Sequence, residues 1–130
     1  MEIPKNVEVM DWATSISWFD ENGILCSISK KAAPQTMEET IQTVEDFKKM
    51  LNGREVCMLI DVTHSVPSSR EVRQYAANEF PKFTKAIAMI SDSPLGKMIA
   101  NLFFSIMKQP YPTKMFTNEE EAKDWLKQYL

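Results

Sequence analysis

Two unbroken apolar runs constrain the fold most: Val56-Cys57-Met58-Leu59-Ile60 and Ala86-Ile87-Ala88-Met89-Ile90. A strand with one wet face alternates apolar and polar residues, so a short continuous apolar run predicts a strand covered on both faces. The segments around these runs have helical periodicity. The first helix starts at Thr36, with Glu39 three residues on as a capping box. Its stripe is Met37, Ile41, Val44, Phe47 and Leu51, and Asn52-Gly53 ends it with residues that accept a left-handed backbone. The second begins near Ser68, where Ser68 and Glu71 again have capping-box spacing; it carries Val72, Tyr75, Ala76 and Phe80 and stops at Pro81.

A third helix opens at Pro94, with Leu95, Met98, Ile99, Leu102, Phe103 and Ile106 as a wide inward stripe. Pro110-Tyr111-Pro112 is a rigid connector into a short strand over Thr113 to Phe116. Thr117 and Glu120 predict a cap for a last helix, whose inward face is Ala122, Trp125, Leu126 and Tyr129.

The first third of the chain reads as antiparallel strands. Val7, Val9 and Asp11 alternate with Glu8, Met10 and Trp12, and a second run places Ile16 and Trp18 on one side. Asn22-Gly23 predicts a type I′ hairpin, followed by a strand with Ile24, Cys26 and Ile28 facing one way. The order is β-β-β-α-β-α-β-α-β-α. It predicts an α/β fold in one domain spanning 1–130: a mixed sheet, antiparallel at its N-terminal strands and parallel thereafter, covered by four helices.

Charge and composition narrow the function classes. Net charge is −3, from 15 basic and 18 acidic residues, which argues against a nucleic-acid footprint. The N-terminus lacks the basic start and apolar run of a signal peptide, and the most apolar stretch, Met98 to Met107, is too short to span a membrane. A cytoplasmic location is the resulting expectation. Cys26 and Cys57 lie inside strand-like runs and read as buried reduced thiols. Three glycines and no phosphate-binding loop motif leave no nucleotide cradle. His64, the only histidine, has no GxSxG elbow to serve and too few companion ligands for zinc. No catalytic residue, metal or cofactor is expected.

The segment Asp61 to Glu71 leaves a buried strand and enters a helix, the place where α/β sheets collect ligands and partners. Two readings of its serines stand side by side. Ser68 caps the helix, or Ser68 or Ser69 accepts a phosphate, which the free N–H groups and dipole of a helix start would favour. Asp61, Thr63, His64, Ser65 and Arg70 complete a candidate partner-binding loop, in which Asp61 can also receive a turn N–H.

The Leu59-Ile60-Asp61 strand end leading to Ser68-Ser69, the stretch Met98 to Phe104, and the close from Lys114-Met115-Phe116 through Glu119-Glu120-Glu121-Ala122 to Trp125-Leu126 together resemble the STAS domain family, in its SpoIIAA-like branch. The resemblance covers nearly the whole chain. It implies a non-enzymatic regulatory module that binds a kinase or anti-sigma-like regulator through the loop and helix after the Asp-ended strand. It also implies that phosphorylation at Ser68 or Ser69 breaks the complex. Pro67 and Arg70 stand where the antagonists have an Asp-Ser-Ser-Gly type of sequence.

Two further readings remain open. SpoIIAA-like proteins share their fold with Sec14-type lipid carriers, and nine methionines could line a pocket for a small apolar ligand. Trp12, Trp18 and Phe19 lie in strands that include a sheet edge, so an exposed ring there would invite a homodimer.

Overall fold

A computed structural model describes residues 1–94, 98 and 110–130. Its strands are β1 (Met10–Asp11), β2 (Ser15–Phe19), β3 (Leu25–Ser29), β4 (Val56–Asp61), β5 (Thr84–Ile90) and β6 (Thr113–Phe116). The described α-helices are α1 (Met37–Leu51), α2 (Arg70–Glu79) and α3 (Glu119–Leu126). The strands form one sheet in the order β1-β2-β3-β4-β5-β6, antiparallel through β3 and parallel from β3 to β6. The expected mixed α/β architecture is therefore present. The predicted helix from Pro94 through Ile106 falls largely outside the described residues. Met98, which the stripe puts inward, is exposed.

The continuous apolar runs resolve into two faces at period two. Val56, Met58 and Val62 of the β4 region join Leu25, Ile87 and Met89 under α1, where Val44 and Leu51 point inward, with Tyr75 of α2 packed alongside. Cys57 and Leu59 join Trp18, Ile24, Cys26, Ala86 and Ala88 on the other face, under Ala122 and Leu126 of α3. Strands that follow one another across a sheet with crossovers of one hand put the crossover helices on one side. That explains why α1 and α2 share a face, while α3 lies opposite them. The small side chains of Ala86 and Ala88 let α3 approach β5 closely. Fully burying residues such as Leu59 and Ile87 contributes about 1.5–3 kcal/mol each.

Four local expectations need correction. The first strand is only two residues long: its pairing with β2 covers just Met10 opposite Ser17 and Asp11 opposite Ile16. The hairpin is not type I′. Only Gly23 has a positive φ there, at 81°. The Asp20 carboxylate accepts the N–H groups of Asn22 and Ile24, both at 2.9 Å, and holds a three-residue loop closed by a left-handed glycine. The caps of the second and last helices each fall one residue later than predicted. Ser69 Oγ accepts from Val72 N, and Asn118 Oδ1 from Glu121 N, so neither Ser68–Glu71 nor Thr117–Glu120 forms a box. The Thr36–Glu39 box does form.

The aromatic residues of β2 and its neighbours are buried to different degrees. Trp18 is buried, and Phe19 packs against the α1 side. Trp12 sits 4.4 Å from the Phe47 ring, centroid to centroid. Trp12 and Phe19 are half-buried on the α1 side, and Trp18 is buried on the α3 side. Met58 and Met89 are buried in the packed core, so these two do not line an open pocket.

Candidate functional site

The carboxyl ends of β3, β4 and β5 meet at one rim, and the chain leaving β4 is pinned there by groups at the exits of all three strands. Asp61, the last residue of β4, is buried. Its Oδ1 accepts the Thr63 N–H at 3.0 Å and the Thr63 hydroxyl at 2.6 Å, an Asx turn of the kind Asp makes after strands. Its Oδ2 lies 3.3 Å from the Met1 amine. With both oxygens engaged and the residue buried, Asp61 shapes the loop from beneath.

Thr63 and His64 extend the pinning sideways. The Thr63 hydroxyl accepts the Asp92 N–H at 3.0 Å, and the Thr63 carbonyl accepts the Ser93 hydroxyl at 3.2 Å. The His64 N–H donates to Ser29 Oγ at the end of β3, 3.1 Å away. The Ser65 N–H closes a turn on the Val62 carbonyl at 3.0 Å. The backbone of 62–65 is thereby fixed while the His64 imidazole stays exposed.

Beyond Ser65 the loop rises to α2. Val66 and Pro67 are exposed, Ser68 is half-buried, and its carbonyl accepts the Arg73 guanidinium. Ser69 is exposed and caps α2 with its side chain; Arg70, also exposed, follows it. A cleft of about 130 Å3 lies between this loop and the chain leaving β3, lined by Ser29, Lys30, Gln35, His64, Ser65 and Ser68. Lys30 is committed elsewhere, to the Asp11 carboxylate and the Trp12 carbonyl.

The structure therefore gathers Thr63, His64, Ser65 and Ser68 around one rim and places Ser69 and Arg70 at the adjoining helix start. The contributions of Ser29, Asp92 and Ser93 went unnoticed in the sequence. The signal was the register: Ile28 pairs with Asp61 and Asp61 with Ile90, which sets the exits of β3, β4 and β5 side by side. The parallel strands run in sequence order with no reversal, so the rim has no topological switch point, the usual crevice for a small ligand.

Elsewhere, the two cysteines are buried and free. Burial pushes the Cys26 thiol up to about 12 and raises that of Cys57 as well. No helix among the described residues is long and apolar enough to cross a membrane.

The fold is similar to that of a crystal structure of an uncharacterized protein from the DUF3478 family, with a SpoIIAA-like fold, from Shewanella loihica PV-4. The match has a TM-score of 0.60 and 19% identity, and it covers 92% of this chain and 91% of that one. The architecture is accordingly SpoIIAA-like, as the sequence resemblance implied. A protein with unknown function from Arthrobacter sp. FB24 shares 26% identity over 85% of this chain and 97% of that one, with a TM-score of 0.31. No curated protein matches the chain. A family model described as a domain of unknown function, DUF7793, matches residues 17–130, and the chain belongs to that family.

Proposed function

We propose that this chain is a non-enzymatic, STAS-type module that binds a regulatory protein through the loop from Thr63 to Arg70, and that a phosphate on Ser69 turns the binding off. The observation that carries this reading is the placement of Ser69: an exposed hydroxyl at the N-terminus of a ten-residue helix, at the end of a loop fixed by the sheet. A phosphate there would meet unpaired N–H groups and the positive end of the helix dipole. Arg70 and Arg73 lie within four residues to offer charge-assisted hydrogen bonds. The modification would leave the fold intact and place about two negative charges on the face that meets the partner.

Ser68 fits the role less well, being half-buried beneath the contact between its own carbonyl and Arg73. The absence of a switch-point crevice favours a macromolecular partner over a small substrate. Affinity capture with the wild-type chain, Ser69→Asp and Ser69→Ala tests the reading. A partner retained by wild type and Ser69→Ala but lost with Ser69→Asp supports it. Identical partner sets for wild type and Ser69→Asp overturn the switch.

A further inference from the structure

We propose that the partner-binding surface is a platform of two loops, 63–69 and 91–94, and that Thr63 is the positioning residue that locks them together. The inference rests on the proposed binding role, and adds a second loop and a locking residue to it. The Thr63 hydroxyl sits in a relay: it accepts from Asp92 N and donates to the buried Asp61 carboxylate. A hydroxyl can do both at once, which a side chain such as Val of the same shape cannot. The Thr63 carbonyl takes the Ser93 hydroxyl, and the Ser91 hydroxyl in turn accepts the Ser93 N–H at 3.1 Å, so the second loop is folded onto the first. The same residue thus fixes both the exit of β4 and the exit of β5.

The platform has a recognisable chemistry. Exposed Val66, with 39% of its surface accessible, lies along the chain between the exposed side chains of His64 and Arg70. Asp92 and Pro94 are exposed on the second loop. Exposed apolar and charged side chains carried on one rim are what protein interfaces draw on. The platform fits a folded protein that sets an apolar patch against Val66 and Pro67, with a carboxylate toward Arg70 and a cation toward Asp92.

Hydrogen–deuterium exchange on the whole chain tests the lock. In Thr63→Val, amides of 64–65 and of 92–93 should exchange about tenfold faster together, the consequence of losing one net hydrogen bond, while those of α1 stay protected. Thr63→Ser should retain the wild-type protection. Ser93→Ala, which leaves the Thr63 side chain in place, should loosen the second loop alone. Unchanged exchange in Thr63→Val, or loosening of only one loop, overturns the lock. With the partner from the Ser69 comparison purified, Thr63→Val and Arg70→Glu should each weaken binding about tenfold, and Thr63→Ser should restore it. Full binding by Thr63→Val would remove the second loop from the surface. Failure of Ser69→Asp to alter capture sinks the phosphate switch and leaves the coupled exchange standing, so the two ideas fail separately.

Discussion

Ser69 Oγ accepts the Val72 N–H at 3.3 Å, so the residue best placed to receive a phosphate is also the cap of α2. Capping and modification are compatible, because a phosphate oxygen can accept the same N–H groups. Ser69→Ala should lower stability to urea by about 1 kcal/mol, while Ser69→Asp keeps the cap and stays within about 0.5 kcal/mol of wild type. Ser68→Ala, which removes no cap, should have little effect. An equal loss for the two alanine variants would return the cap to Ser68.

Glu79, at the end of α2, joins three elements. Its carboxylate takes Lys48 of α1 at 2.6 Å and Lys82 of the following turn. The hydrogen bond from Lys48, then that from Lys82, holds the Glu79 carboxyl below its ordinary range. A carboxyl whose folded value is depressed stabilises the protein above its unfolded value, about 4.3, and that contribution is lost as pH falls through the folded one. Glu79→Gln should therefore lower the urea midpoint at pH 7, and its difference from wild type should shrink as pH drops below about 4. High salt should also narrow the gap, since Lys48 and Lys82 are solvent-accessible. A difference that persists unchanged at pH 3 would show that packing, not charge, is what the substitution removes.

The layers of this fold were legible because two physical signals agree along the chain. The runs at Val56 and Ala86 state that their strands are covered twice, and the spacing of Met37 to Leu51 states which side of α1 does the covering. Cap positions were less legible. Ser68 and Ser69 are adjacent, and either serine can begin a helix; the Arg73 contact to the Ser68 carbonyl and the turn at Val62–Ser65 accompany the cap at Ser69, and residue types alone announce neither contact. The hairpin failed for a similar reason. Asp20, by accepting two N–H groups, supports a longer loop than the Asn22-Gly23 pair alone would form. At the candidate site the loop from Asp61 was visible as a polar corner after a buried strand. Its ties to Ser29 and Asp92 arise from strand register, which no single segment encodes.

Cys26 and Cys57 provide a clock for opening of the α3 face. Both are buried there, and desolvation raises their thiols, that of Cys26 to about 12. Only the thiolate reacts with a disulfide reagent. Neither should react appreciably with one at pH 8 in the folded protein, and both should react within seconds once urea unfolds it. Fast modification of one thiol in native buffer would mean that α3 detaches locally.

Ser17 offers the sharpest test of the packing under Trp12. It is fully buried, accepts the Trp12 indole N–H at 3.0 Å, and shares a 3.0 Å hydrogen bond with Ser27. Removing one member of a buried polar group leaves its partners unsatisfied, which costs about 1–3 kcal/mol. Ser17→Ala orphans both the indole N–H and the Ser27 hydroxyl, so it should destabilise the chain within that range. Adding Ser27→Ala removes one orphan, and the double variant should be no less stable than Ser17→Ala alone. Trp12 fluorescence would follow the same event, because its ring is held against Phe47 and its N–H loses a fixed partner. If the two substitutions instead add in full, the serines act independently and the indole is satisfied by water.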